Sequence, residues 1–457
     1  MCSFLLANFA LVQYLVDRAN VFMRSRGPDA TAWVSIPPFT VLHNLLHITG
    51  HAPVQQPYLS PDGGAFAAYN GEIYNVPEVL SASQLNASAL KTDGEIILLA
   101  YRLYGPRFAR RLLGEFALVL VDLWSQVLVL STDVFGTKPL YLARRRSTGH
   151  FAVASYRSAL LGLGFAEGEV QPVAPNLIME FRFDIEQASP PEAEAAAGAE
   201  GGAWGAPLAR LSLARRGAVF EFDVRQFKAG HSDWASAFDE AVERRAGHWT
   251  RHEVFLGLSG GFDSGAIHAA LLRAGTPHSA YVVLGDEELW LLEERQAYAV
   301  ARGRTDGSNR SSADVELLSL SQQAYLDEER WLWRSCERVS YLHPGRAESN
   351  LQDQASVGLS AYVREARRLG QLIFLSGAGA DEIMTDYGYA GKAFSAFQEA
   401  STLRGLWPED LAPVFPWGNF FLGTQRDFLA KEETVLGAHG VEARYPFLDV
   451  RVAQEMI

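Results

Sequence analysis

The sequence predicts two folded parts of different class: a strand-rich region over residues 1–186 and an α/β region over 211–457. Three observations carry this reading. Apolar runs in the first region are short and separated by turn signals. Ser189–Pro207 (SPPEAEAAAGAEGGAWGAP) is rich in Ala, Gly, Glu and Pro, which predicts a solvated linker over 187–210. Beyond about residue 230, strand-like and helix-like segments alternate, the pattern of a parallel sheet.

The elements follow in order. Met1–Val16 is apolar, but its first basic residue is Arg18, and Asn8 and Gln13 interrupt the run. A buried strand fits it better than a signal peptide. Strands are predicted at Phe39–Leu42, Phe66–Tyr69, Phe116–Val121 and Val127–Leu130, with a turn at Pro61-Asp62-Gly63-Gly64. Gly94–Tyr104 reads as a helix, because Ile96, Ile97, Ala100 and Tyr101 share a face. In the second region, helices are predicted at Trp234–Ala246, Ala266–Ala274, Glu287–Arg302 and Leu359–Leu369. Buried strands are predicted at Val254–Leu258, Ala280–Leu284 and Leu372–Leu375.

Composition narrows the function. The chain has 457 residues, 48% of them hydrophobic, so packed cores are expected. Its 40 Lys+Arg against 53 Asp+Glu give a net charge of −13, which argues against nucleic acid as a partner. Two cysteines, Cys2 and Cys336, exclude a disulfide scaffold and a cysteine-rich zinc protein. No run approaches the ~20 apolar residues that span a bilayer, so no membrane partner is expected.

The strongest local motif is Ser259-Gly260-Gly261-Phe262-Asp263-Ser264, placed between a strand and a helix. Free N–H groups and the dipole of a helix N-terminus attract anions there, and glycines admit phosphates close to the backbone. The Lys of a GxxxxGK[ST] loop is missing. SGGxDS resembles the pyrophosphate loop of ATP pyrophosphatases, which cleave ATP to AMP and pyrophosphate while adenylating a substrate. A second strand ends in Ser376-Gly377-Ala378-Gly379-Ala380-Asp381-Glu382, followed by Asp386-Tyr387-Gly388-Tyr389. Asp381 alone reads as a helix cap. Paired with the first loop, Asp263 and Asp381 are candidates to share one Mg2+.

The N-terminus carries a second constellation. Once Met1 is removed, Cys2 holds a thiol beside an α-amine of reference pKa ≈ 7.7–8.0, which serves as its general base. Asn70-Gly71-Glu72-Ile73-Tyr74-Asn75 and Thr92-Asp93-Gly94-Glu95 supply an amide, backbone N–H groups and carboxylates, the parts of a glutamine amidohydrolase.

Together these segments resemble the class II glutamine-dependent asparagine synthetases over nearly the whole chain. The resemblance rests on Cys2, Arg26-Gly27-Pro28-Asp29, Gln56-Pro57, NGEIYN at 70–75, Asp93, GEFALVLVD at 114–122, TDVFGTKPLY at 132–141, SGGFDS at 259–264, SGAGADE at 376–382 and VEARYPFLD at 441–449. It implies an α+β N-terminal-nucleophile domain, an αββα sandwich over 1–186 acting as a type-2 glutamine amidotransferase. After the linker at 187–210, it implies an α/β parallel-sheet ATP-pyrophosphatase domain over 211–457. By the same resemblance, Cys2 attacks the glutamine amide, Asn70 and the Gly71 N–H stabilise the oxyanion, and Glu72 and Asp93 grip the α-amine. Ammonia then passes to the second site. There Leu258, Ser259, Gly260, Gly261, Asp263, Ser264, Val283, Ser376 and Gly377 bind ATP, and Asp263 and Asp381 bind Mg2+. A carboxylate acceptor, aspartate or another, is adenylated and amidated. Glu442, Arg444 and Asp449 are expected to form internal ion pairs. The resemblance further implies a cytoplasmic enzyme and leaves a homodimer open.

Four departures from the family pattern bear on this expectation. Leu45, in His43-Asn44-Leu45-Leu46-His47-Ile48, replaces the Arg that binds the glutamine α-carboxylate, a loss of about 1.5–3 kcal/mol. Ala378 replaces a Glu near the acceptor, and Gly265 replaces a Ser. The chain ends at Ile457, eight residues past Asp449, so its C-terminal domain is expected to be truncated. Two alternatives stand beside a glutamine-dependent amidating ligase. One is an amide- or ring-forming tailoring enzyme of the same family with weak glutaminase. The other is a non-catalytic binding protein.

Overall fold

A computed structural model describes residues 2–82, 90–185, 209–225, 230–247, 250, 252–284, 289–303, 313–343, 346–384 and 410–457. The Asp386–Tyr389 segment and most of the expected linker lie outside these residues. The chain divides into two compact units, Met1–Glu221 and Phe222–Ile457. Among the described residues no helix is long and apolar enough to cross a membrane.

In the first unit the strands are β1 (Ser3–Ala7), β2 (Ala30–Ile36), β3 (Phe39–Leu45), β4 (Tyr58–Leu59), β5 (Ala65–Ile73), β6 (Gly114–Asp122), β7 (Val127–Thr132), β8 (Tyr141–Arg144), β9 (Phe151–Ala154), β10 (Val170–Pro172), β11 (Leu177–Ile185) and β12 (Ala209–Ala218). They form two six-stranded sheets, ordered β10-β8-β9-β1-β3-β2 and β12-β11-β7-β6-β5-β4. Phe4, Leu6, Phe39 and Val41 of the first sheet pack against Phe66, Ala68, Ala117 and Val119 of the second. The opposite face of the first sheet, through Leu5, Ala7 and Leu42, packs on Leu15, Val16, Ala159, Leu160 and Leu163 from helices Gln13–Ala19 and Arg157–Leu163. Helix Ile96–Tyr104 packs on β5 of the second sheet. This is the expected αββα layering. The apolar start of the chain is a buried strand only to Ala7; a helix follows, with Leu15, Val16 and Ala19 on its buried face.

The first unit reaches Glu221, past the expected boundary at 210/211. The reason is β12, which pairs antiparallel with β11 from Leu177↔Ala218 to Ile185↔Ala209 and completes the second sheet. A pairing partner on the far side of a compositional break leaves no trace in local composition.

The second unit contains β13 (Val254–Gly257), β14 (His278–Val283), β15 (Ala313–Leu318), the hairpin β16 (Ser340–His343) and β17 (Arg346–Ser349), β18 (Ile373–Leu375) and β19 (Glu442–Arg444). Five of them form a sheet ordered β15-β14-β13-β18-β19, parallel at every pairing. Helices Ser232–Gly247, Phe262–Ala274, Leu289–Gly303 and Gln354–Arg368 alternate with the strands, as predicted. The VEARYPFLD segment is structural. Arg444 Nε donates to Glu442 Oε1 at 2.7 Å, and Asp449 Oδ2 accepts from Arg244 and Arg245, each at 2.9 Å. Burial alone would raise the Asp449 carboxyl, but the two guanidinium groups outweigh it and hold the carboxyl below its usual range. Cys336 is buried, and burial pushes its thiol up to about 12, which leaves it unreactive.

Candidate functional sites

The first candidate site lies at one end of the sandwich in the N-terminal unit. Side chains alternate along a strand, so Cys2 shares the inter-sheet face of Phe4 and Leu6. Its Sγ lies 3.9 Å from the Leu46 carbonyl oxygen, and its own carbonyl accepts from Arg26 Nε at 3.2 Å. On the facing sheet, Asn70 follows Phe66 and Ala68 on the inward face of β5. Asn70 is fully buried, and neither Nδ2 nor Oδ1 has a hydrogen-bond partner among the described residues. An unpaired buried amide is costly, so its retention marks a position reserved for a ligand.

Gly71 has φ +133°, and a Cβ there would sit 1.8 Å from the Glu115 carbonyl oxygen. Only glycine fits at this close approach of β5 to β6; the next residue, Glu72, accepts from Thr49 Oγ1 at 2.6 Å through its Oε1. Asp93 is almost wholly buried; it accepts from the Tyr69 hydroxyl at 2.6 Å and from the Ile73 N–H at 2.7 Å. Tyr58 Oη lies 2.9 Å from Thr92 Oγ1. Burial, reinforced by the Asp93 charge, pushes the Tyr58 and Tyr69 hydroxyls well above their usual range, and Cys2 adds to the effect on Tyr58. Cys2, Tyr58, Tyr69, Glu72 and Asp93 therefore form one electrostatic neighbourhood.

Leu45 is buried on the face of Phe39 and Val41. It lies one step beyond the Ser3↔Asn44 pair, opposite Cys2 in register. The wall beside the thiol is thus apolar. His43, two residues earlier, is buried, which lowers its pKa to about 3 and keeps it neutral; its Nδ1 lies 2.9 Å from Gln55 Nε2. The segments at 114–122 and 132–141 act as support. Asp133 accepts from the Phe116 N–H at 3.0 Å and from Thr137 Oγ1 at 2.6 Å, and Lys138 lies 3.8 Å from Glu115.

The second candidate site lies at the carboxyl ends of β13 and β18, where open parallel sheets bind ligands. β13 delivers residues 259–261 to helix Phe262–Ala274, whose N-cap, Gly261, offers no side chain. Ser264 Oγ accepts from the Ser259 N–H, and Ser259 Oγ from the Gly261 N–H, each at 3.1 Å. The two hydroxyls lie 3.1 Å apart. Leu258 is buried and donates its N–H to the Tyr281 backbone carbonyl at 2.8 Å. Val283 ends β14, half-buried; a Cβ at Gly358 would lie 3.8 Å from it.

From β18, Ser376 Oγ accepts from the Ala378 N–H at 3.0 Å. A Cβ at Gly377 would lie 3.0 Å from Asp263 Cβ, so the two loops touch at this glycine. Asp381 sits in the short helix Ala380–Met384. Burial, then the neighbouring Asp381 charge, pushes Asp263 up to about 6; burial also raises Asp381. Glu382 donates nothing to the opening: it accepts from the Gly379 N–H at 2.9 Å, and burial lifts it to about 7.

Two mutually repelling carboxylates suit a hard divalent cation, which takes oxygen ligands. Among the described residues, no group of three or more His, Cys, Asp or Glu could hold a metal alone. The chemistry fits Mg2+, which is usually held by one or two carboxylates together with substrate phosphates and water.

Two contributors escaped sequence reasoning. Thr49 orients Glu72. Arg295, on helix Leu289–Gly303, donates to the Gly260 and Gly261 carbonyls at 3.0 and 2.8 Å and also contacts Ser259 O. Nothing next to Arg295 in the sequence announces the loop carbonyls it binds.

The glutamine amidotransferase domain family matches residues 1–192, and the asparagine synthase family matches residues 233–416. A putative glutamine-hydrolysing asparagine synthetase of Mycobacterium tuberculosis is 28% identical over 399 residues, 81% of this chain and 56% of the relative. The glutamine-hydrolysing asparagine synthetase of Bos taurus is 26% identical over 444 residues, 93% of this chain and 71% of the relative; that of Gallus gallus is 25% identical over 446 residues, with the same coverage. The chain thus spans little more than half the length of the mycobacterial relatives it matches. A solved B. subtilis glutamine phosphoribosylpyrophosphate amidotransferase, complexed with ADP and GMP, aligns at 12% identity and TM-score 0.34, covering 61% of this chain and 65% of that one; the likeness is too weak to bear on either site. The two matches give a glutamine amidotransferase domain followed by an asparagine synthase domain, and over most of its length the chain is similar to glutamine-hydrolysing asparagine synthetases.

Proposed function

We propose that the protein releases ammonia from glutamine at Cys2 and uses ATP at the 259–264 loop to amidate a carboxylate. The buried, unpartnered carboxamide of Asn70, facing the Cys2 side of the inter-sheet core, carries this reading. With Met1 removed, the Cys2 α-amine takes the thiol proton and the thiolate attacks the amide carbon. Asn70 Nδ2 and the Gly71 N–H donate to the developing oxyanion. Glu72 and Asp93 receive the substrate ammonium. At the second site Ser259, Gly260, Gly261, Ser264, Ser376 and Gly377 hold the phosphates, and Leu258 and Val283 line the nucleotide pocket. Asp263 and Asp381 would hold Mg2+, which when bound neutralises charge on the pyrophosphate as it leaves. The acceptor carboxylate attacks the α-phosphorus, and ammonia displaces AMP from the acyl-adenylate.

Leu45 favours a second reading, a tailoring ligase of the same family that uses another amine. Its buried aliphatic side chain gives a substrate α-carboxylate no charged partner beside Cys2. One experiment separates the readings. Cys2→Ala should abolish glutamine-supported amide formation while sparing synthesis with added ammonia. Equal loss of both would overturn the coupled-site reading, and unchanged synthesis with a primary amine as donor would favour the second.

A further inference from the structure

The N-terminal unit holds another polar cavity, of about 120 Å³, on β11 and β12, three strand positions from the β5 strand of Asn70. Arg107, Arg110, Arg215 and Arg216 line it, with Glu180 and Glu221. Local geometry concentrates these guanidinium groups. Arg107 and Arg110 lie three residues apart in the 3-10 segment Gly105–Arg111, where side chains at that spacing eclipse. Arg215 and Arg216 are adjacent in β12, where neighbours normally face opposite ways. Here the register shifts: Glu180 pairs with Arg215 but Phe181 pairs with Leu213, leaving an extra residue between them. The extra residue, Ala214, precedes the pair, which keeps regular register opposite Glu180 and Met179, and both arginines line the cavity.

The charges do not balance. Arg110 pairs with Glu221 at 2.8 Å. Among the described residues, the Arg107, Arg215 and Arg216 side chains have neither a hydrogen bond nor an ion pair. Four cations against two carboxylates leave a local charge of +2, within a chain of net charge −13. Uncompensated like charges around a concavity repel one another, and a bound anion relieves that repulsion. The planar guanidinium fork matches phosphate oxygens in pairs. A phosphate monoester carries about −1.5 to −2 near neutral pH, close to the excess present.

We propose that this cavity is a phosphate-binding site, distinct from both candidate catalytic sites, that takes a small phosphate monoester or inorganic phosphate. The test is calorimetric titration of the full chain with inorganic phosphate at low ionic strength, then with a phosphate monoester. Saturable binding is expected, weakened at least tenfold in the double variant R215A/R216A and only partly recovered in R215K/R216K, which keeps the charge but not the fork. Both arginines are exposed, so the variants should retain the wild-type melting temperature. The proposal is independent of the ATP reading, and the variant D263N/S264A keeps the two apart: it should retain the phosphate site. Phosphate affinity unchanged by R215A/R216A, or lost only in D263N/S264A, would overturn the assignment. Saturation by a tetraglutamate peptide but not by phosphate would also overturn it and assign the surface to an acidic protein partner.

Discussion

The two candidate sites solve opposite electrostatic problems. Around Cys2 the fold matches both oxygens of Asp93, through Tyr69 and Ile73, and one oxygen of Glu72, through Thr49. The neutral amide of Asn70 has neither of its polar atoms hydrogen-bonded among the described residues. At the 259–264 loop two carboxylates, Asp263 and Asp381, lie close enough to repel, and burial raises the pKa of both. An unpaired buried amide is costly, but less so than an unpaired buried charge. Paired carboxylates stay strained until a cation and phosphates arrive. Under the proposed function, the first site is preorganised and the second is completed by its ligands.

The sharpest way to break this comparison is at Asn70. Asn70→Ala removes an oxyanion donor that holds nothing else in place. Glutaminase kcat should fall about 10²–10³-fold while the melting temperature stays level or rises. A marked loss of stability would show that the amide is structural, and the contrast between the sites would fail. Asp93→Asn should behave differently. It places an NH2 against the Tyr69 hydroxyl or the Ile73 N–H, leaving a buried mismatch, and should cost about 1–3 kcal/mol of stability as well as activity. Chemical denaturation read beside glutamate release separates the two outcomes.

Leu45→Arg sharpens the same contrast. If the apolar wall beside Cys2 weakens glutamine binding, a guanidinium there should lower KM for glutamine about tenfold or more at similar kcat. An unchanged KM, with the protein still folded, would mean that the carboxylate is held elsewhere or is not part of the natural substrate.

How much of this was legible in sequence follows from the range of each contact. Asn70, Gly71, Asp263 and Asp381 sit in compact motifs whose chemistry is local. Thr49 and Arg295 act across 23 and at least 34 residues of chain, so nothing beside them in sequence announces their partners. The strand predicted at Phe39–Leu42 continues to Leu45 because His43 and Asn44 are polar yet buried. Asn44 is satisfied by Asn20, Ser3 and Thr31, a network that an apolar pattern does not reveal. The helix predicted from Leu359 starts at Gln354, capped by Asp353, whose Oδ1 accepts from the Ala355 N–H; its first turn is polar and so escapes a hydrophobic signal. The β12 strand was hidden for a related reason. Seven of its ten residues, all five of LARRG among them, are exposed, so the strand lacks a buried alternation even though its backbone pairs with β11 from Ala209 to Ala218 around the bulge at Ala214.

The smallest predicted effect tests the second site without any turnover. Asp263 has its pKa raised from 3.8 to about 6 in the folded unit. Between those values the folded state binds more protons than the unfolded chain, so its contribution to stability falls as pH rises through that window. Above about pH 6 the ionised carboxylate sits beside Asp381 as a net cost. Removing the charge with Asp263→Asn should therefore stabilise the ligand-free protein at pH 7, by about 1 kcal/mol once solvent screening of this partly exposed group is allowed for. The variant should also lose the decline in stability between pH 4 and 6. Adding Mg2+ with ATP should reverse the order, because binding to the folded state stabilises the unaltered protein more than the variant. Thermal melts of both proteins at pH 5 and pH 7, with and without Mg2+ and ATP, measure each part. If Asp263→Asn melted lower than the unaltered protein at pH 7 without ligands, the carboxylate would be a structural anchor and not a charge held in reserve for a cation.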